Sequence, residues 1–141
     1  FNRALGKLSF AEQPSAPSEA RRALAEAYLA RARGTDNDKA LSILQDLAKS
    51  GKDSAQVLND TGVALFENHQ YAEAIDAFNR ALYKQPGLLE ALFNRALTEE
   101  TSGKTAAAAK DWGEFVATSP EKDWKQEASS HLHRIESLPL Q

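Results

Sequence analysis

Residues 55–88 read AQVLNDTGVALFENHQYAEAIDAFNRALYKQPGL, and the spacing of their apolar side chains decides the fold. Leu58, Thr61, Gly62 and Leu65 recur at intervals of three and four, which on an α-helix places them on one face. Tyr71, Ala74, Ile75, Phe78, Ala81 and Leu82 do the same one step later. This predicts a helix over about 53–68 and a second one from Tyr71. Asn68, His69 and Gln70 form a short polar break between them. Gln85, Pro86 and Gly87 end the pair, because proline removes a backbone donor and glycine permits a tight turn.

Working outward, the same pattern returns on both sides. Ala40, Ala74 and Ala108 lie 34 residues apart, as do Leu24, Leu58 and Leu92, and Pro86 and Pro120. Leu44, Phe78 and Trp112 keep the interval with a large apolar side chain each time, and Leu47, Ala81 and Phe115 keep it with varying size. The third unit is predicted as a helix to about Thr101, a break at Ser102, Gly103 and Lys104, a helix through Phe115 and a stop at Ser119 and Pro120. A 34-residue period of paired helices is the tetratricopeptide length. The second unit resembles the tetratricopeptide consensus at Leu58, Gly62, Tyr71, Ala74, Phe78, Ala81 and Pro86. The third departs at Ala96, where the family has glycine, and at Glu99, in an apolar slot. The first departs at Tyr28, in place of a small residue, and at Lys52, in place of proline. The resemblance covers residues 21–120 and implies an all-α superhelical solenoid of three helix-turn-helix repeats, about 21–54, 55–88 and 89–122. The motif is specific for fold and nearly silent about function.

Both ends are informative. Trp124, Ala128, Leu132 and Ile135 share one side of a helix expected over about 121–137, with Lys125, Glu127, Ser129, Arg134 and Glu136 elsewhere. Residues 121–141 therefore read as a capping helix and tail, which a finite stack needs to cover its last apolar flank. The string FNRAL occurs at 1–5, 78–82 and 93–97. Residues 1–20 accordingly read as the remnant of a preceding helix, Phe1 to Phe10, followed by a linker, Ala11 to Ser18. The run ALFNRAL with SPEKDW is also similar to bacterial repeat arrays that accompany a caspase-like peptidase domain or an anti-sigma region. That resemblance implies a regulatory or substrate-recruiting segment of a larger enzyme whose catalytic part lies elsewhere.

Composition narrows the chemistry. Cysteine and methionine are absent from the 141 residues, which removes disulfides, thiolate metal sites and cysteine nucleophiles. The net charge of −3 gives no basic footprint for nucleic acid. Residues 1–33 carry six basic and three acidic side chains against eleven and seventeen in the remainder, an asymmetry read as solvated surface. No apolar run is long enough to span a bilayer, and no signal peptide is visible, so a cytoplasmic location is expected ahead of a periplasmic one. His131 and His133 are two apart and diverge on a helix, so no metal is expected there; His69 reads as a surface side chain. Trp112 and Trp124 read as core, and Ala106 to Ala109 as a site of close helix packing. Nothing pairs a general acid with a base, so no enzyme activity, catalytic residue or cofactor is expected.

In such a stack the first helix of each pair lines the concave side. Its free face is predicted to carry Arg22, Ala25, Leu29 and Arg33 in the first unit. The second unit adds Gln56, Asn59, Val63, Phe66 and Glu67, and the third adds Glu90, Phe93, Asn94, Leu97 and Glu100. An apolar strip flanked by amides and charges suits a peptide: aromatic anchors supply energy and asparagines bond its backbone. Tetratricopeptide domains that grip chaperone C-terminal carboxylates place cations and asparagines where this chain has Ala25, Leu29, Asp60, Glu90 and Asn94. Only Asn94 matches, and Asp60 and Glu90 would repel the ligand. The expected activity is thus a protein-protein interaction module whose partner is a protein or peptide, with an apolar or basic segment preferred over an acidic tail. The alternatives are the enzyme-linked segment above and self-assembly through exposed hairpin faces.

Overall fold

The computed structural model describes residues 11–139 apart from Pro14; the expected helix remnant at Phe1 to Phe10 lies outside them. Among the described residues there are seven full helices and no strand: α1 (Ser18–Arg31), α2 (Asp36–Lys49), α3 (Ala55–Glu67), α4 (Tyr71–Lys84), α5 (Leu89–Thr101), α6 (Thr105–Thr118) and α7 (Lys122–Glu136). None is long and apolar enough to cross a membrane. Each helix packs on the next, and α3 also touches α1 and α5. The first helices of successive hairpins therefore form one layer and the second helices another, the solenoid that the 34-residue period predicts.

Local chemistry sets the ends. Ser54 caps α3, its hydroxyl accepting the Val57 N–H at 3.2 Å, which satisfies one of the orphan donors of the first turn. The hairpin turns after α3 and α5 each need one left-handed residue. Gly103 supplies it at φ 84°, while the equivalent position one repeat earlier is His69 at φ 60°. Asp36 opens α2 buried under Arg31, which bonds both its oxygens at 2.7 Å, while the Arg33 N–H adds a third bond at 3.0 Å. Those bonds, the Arg31 ones foremost, hold the Asp36 carboxyl down to about 2.

Core packing follows size compensation along the repeat. The Phe78 ring of α4 lies directly over the Cα of Gly62 in α3. One repeat on, Ala96 and the larger Trp112 share a fully buried core. One repeat back, Tyr28 stands at the small position and Leu44 is correspondingly smaller than Phe78. Tyr28 donates its hydroxyl to Glu12 at 2.7 Å, and Ala11 joins the same core. The segment expected as a linker is thus folded back on the first hairpin, and its last residue, Ser18, already begins α1. Ala11 and Glu12 pack with the aromatic ring at position 28, where the second unit has Gly62.

Glu99, flagged as a polar residue in an apolar slot, is buried between α5 and α6 beside Asp111. Arg95 clamps both Asp111 oxygens at 2.8 and 2.9 Å and reaches Asn79 of α4 at 3.0 Å. Burial first, then the hydrogen bond with Asp111, pushes Glu99 up to about 8. Burial pulls Asp111 upward too, but its bonds from Arg95 and Glu99 outweigh that and lower it. The third hairpin therefore carries a polar network where the second has Thr61, Leu65 and Ala77.

The cap α7 covers the last hairpin through buried Ala128 and Ile135 with half-buried Leu132. Trp124 corrects the core reading: it is 51% exposed, because the helix turns its first-turn stripe past the edge of α6. In α6, Ala108 is buried, but Ala106 and Ala107 face outward. That run contributes helix propensity more than close packing.

Candidate partner-binding groove

Between α1, α3 and α5 runs a lateral ladder of polar contacts, half-buried at Arg22, Asp60 and Asn94 and buried at Asn59. Arg22 of α1 lies 2.8 Å from Glu26 and 3.7 Å from Asp60 of α3. Asn94 of α5 donates to the Oδ1 of Asn59 of α3 at 3.1 Å. Asp60 is pushed up to about 7, first by burial and then by Glu26, with Glu90 adding and Arg22 opposing. Its Oδ2 is buried and, beyond the longer ion-pair contact with Arg22, has no hydrogen-bond partner among the described residues.

The other predicted positions divide. Leu29, Val63 and Leu97 are half-buried against the hairpin cores, so they present edges rather than a strip. Ala25 is fully buried in the core of the first hairpin and so is not on the free face. Arg33 lies beyond the end of α1 and holds Asp36 through its backbone. Gln56 is exposed near the hairpin edge, with its amide 3.3 Å from Gln85, and Glu67 is exposed at the last position of α3. Phe66 turns edge-on to Tyr71 of its own hairpin at 5.5 Å. Glu100 accepts from Trp112 Nε1 at 2.9 Å and Arg134 at 3.1 Å, and meets His131 Nδ1 at 2.9 Å, so it ties α5 to α6 and α7.

His131, which sequence spacing leaves without a role, lies flat against Trp112 with centroids 4.4 Å apart and planes 11° apart. Phe93 sits at the centre of the same aromatic group, edge-on to Trp112 at 4.8 Å, Phe115 at 5.3 Å and Trp124 at 5.2 Å. On its open side a cavity of about 510 Å³ lies between the start of α5 and the connection from α6 to α7. Leu88, Phe93, Phe115, Pro120 and Trp124 wall it, while Glu90, Asn94 and Glu121 bring polar groups to it. Of the predicted set, Glu90, Phe93 and Asn94 meet here. Trp124 and Glu121 belong to the same cavity and were missed. The only sequence signal for them was the 34-residue offset that sets Trp124 opposite Glu90.

Comparison with known families matches residues 13–141 to the coatomer epsilon subunit model. No curated protein sequence matches. Among solved structures, the chain is similar to a TPR2B domain of yeast Sti1 in a pHsp70 complex, at 18% identity, TM-score 0.74, covering 84% of this chain and 95% of that one. It is also similar to the Arabidopsis OM64 TPR domain, at 17% identity and TM-score 0.72, covering 92% and 98%. A third is the Yersinia enterocolitica type III secretion translocator chaperone SycD, at 19% identity and TM-score 0.71, covering 86% and 87%. At these identities the likeness is one of fold, and it is a tetratricopeptide fold throughout.

Proposed function

Because this chain belongs to the coatomer epsilon subunit family, a family of tetratricopeptide-like helical repeats, we propose that it is a non-catalytic interaction module that holds an extended segment of a partner protein along α1, α3 and α5. The observation that carries this reading is the ladder of Arg22 with Asp60 and Asn59 with Asn94. It spans three successive helices and reaches an open cavity at Asn94, with Asn59 buried behind it. Amide side chains at regular spacing can exchange their mutual bonds for bonds to a peptide backbone at little net cost. The cavity offers the aromatic surface from which most binding energy comes.

The Sti1 domain is seen with pHsp70, but the present groove is built for a different ligand. Of the positions that grip a chaperone carboxylate only Asn94 matches here, and Glu90 stands beside it at the cavity, so a C-terminal carboxylate is disfavoured. The test is selection from a random displayed-peptide library, followed by amide chemical-shift mapping of the bound peptides on the labelled chain. Perturbations should concentrate on Asn59, Asp60, Glu90 and Asn94. Peptides that perturb α2, α4 and α6 instead, or a selection that yields no binder, would overturn the reading.

A further inference from the structure

We infer that the cavity between α5 and α7 is a receptor for a cationic side chain, arginine or lysine, carried by the partner segment. The inference rests on the proposed peptide-binding role and supplies its anchor. Three observations converge on this occupant.

The first is the wall. Trp124 is half exposed on the cavity, although its other side packs edge-on to Phe93. An indole held in place with an open side is the strongest aromatic partner for a cation. The second is charge. Glu90 enters from the first turn of α5 and Glu121 from the connection before α7, and among the described residues no lysine or arginine lines the cavity. Both carboxylates are exposed at the cavity, so a cationic guest gains two opposite charges there while an anionic guest meets two like ones. The third is shape. Leu88 and Pro120 flank the entrance and offer apolar surface to the methylene stem that both basic side chains carry below the charged head. Asn94, already part of the ladder, stands beside the cavity to take the guest's backbone.

The experiment uses the whole chain and three small probes: the N-acetyl amides of arginine, norleucine and glutamate. The two indole N–H resonances separate the sites, because Trp112 is buried and bonded to Glu100 while Trp124 faces the cavity. Arginine amide should shift the Trp124 indole and the Glu90 and Asn94 amides in a saturable way. Norleucine amide should bind at least about threefold more weakly, and glutamate amide should give no shift. The Glu90→Gln, Glu121→Gln double variant changes two exposed side chains and should keep its Tm while losing arginine affinity by a similar factor. Equal binding of norleucine and arginine, stronger binding of glutamate, or a silent Trp124 would each overturn the inference. The library selection separates the two readings. Selected peptides that map to α1, α3 and α5 with no basic enrichment and no Trp124 response sink the cation receptor and leave the module. An arginine response at Trp124 with no selected peptide on those helices sinks the module.

Discussion

Replacing Gly62 by alanine tests the core of the packing argument, because two effects of opposite sign compete at one atom. In an open helix, alanine is favoured over glycine by about 1 kcal/mol. At Gly62, however, an added Cβ would lie 2.6 Å from Cζ and 2.7 Å from Cδ1 of Phe78, where carbon atoms prefer roughly 3.5–4.0 Å. The ring must withdraw by about 1 Å, yet Phe78 is fully buried and cannot swing to solvent. Overpacking of this kind costs about 1–3 kcal/mol, and a rigid ring face puts this site at the upper end. The expected net loss is about 2 kcal/mol, or roughly 6 °C in Tm for a chain of this size. Gly113 is the internal control: it sits within α6 with nothing within 4 Å of an added Cβ, so Gly113→Ala should gain about 1 kcal/mol. Thermal and urea unfolding followed by circular dichroism read both. Pairing Gly62→Ala with Phe78→Leu should recover part of the loss, which a double-mutant cycle measures. A Gly62→Ala protein as stable as the Gly113→Ala protein would refute the claim that ring-to-backbone contact fixes the hairpin.

Three further outcomes are expected. Folding raises the Glu99 carboxyl to about 8 and Asp60 to about 7, so above the ordinary carboxylate range the folded state holds protons that the unfolded chain has released. Stability should therefore fall as pH rises from about 5 to about 8.5; the lowered Asp111 acts in the opposite sense but only as pH falls further. Glu99→Gln removes the titrating group and should flatten the upper part of that profile, with an unchanged profile counting against the raised Glu99 carboxyl. Removal of residues 121–141 should uncover Trp112, Phe115 and Val116, which pack with Ala128, Leu132 and Ile135, and so cost several kcal/mol. A truncated chain that stays monomeric by light scattering with unchanged melting would remove α7 from its capping role. His69→Gly relieves a left-handed residue that the equivalent Gly103 occupies freely, and should gain about 1 kcal/mol in urea unfolding despite losing the exposed contact to Tyr71 at 2.9 Å.

The hairpins were legible because their signal is periodic and local. Leu58, Ala74 and Phe78 sit where helix geometry alone sends them inward, and the breaks at Asn68 to Gln70 and Ser102 to Lys104 coincide with the turns. The groove was legible only in part. A helical stripe tells which side of a helix a residue occupies, but not which neighbour covers that side. Phe66 and Phe93 share the expected stripe, yet one is taken up by Tyr71 and the other by three aromatic rings. Glu100 is likewise consumed by α6 and α7. Trp124 errs in the other direction: it lies on an apolar stripe, but α7 is the last helix described and nothing packs beyond its first turn.

That asymmetry explains where a partner's energy would be found. Along the first helices of the three hairpins the groove is polar, and Arg22 with Asp60 and Asn59 with Asn94 already satisfy much of one another. A ligand there exchanges bonds and gains little net free energy. At the end of the stack, Phe93 and Trp124 keep one side uncovered because no fourth hairpin follows among the described residues. Apolar surface left open at the last junction gives the larger return on burial, so affinity should concentrate at α5 and α7 while the ladder fixes direction and register. Asn94→Ala should accordingly change the preferred sequence of selected peptides more than their strength. Trp124→Leu, which retains an apolar cover for Phe93, should weaken all of them by about 1 kcal/mol or more. Isothermal titration of both variants with the same selected peptides reads the difference, and a larger affinity loss for Asn94→Ala than for Trp124→Leu would show that the ladder, not the aromatic end, holds the partner.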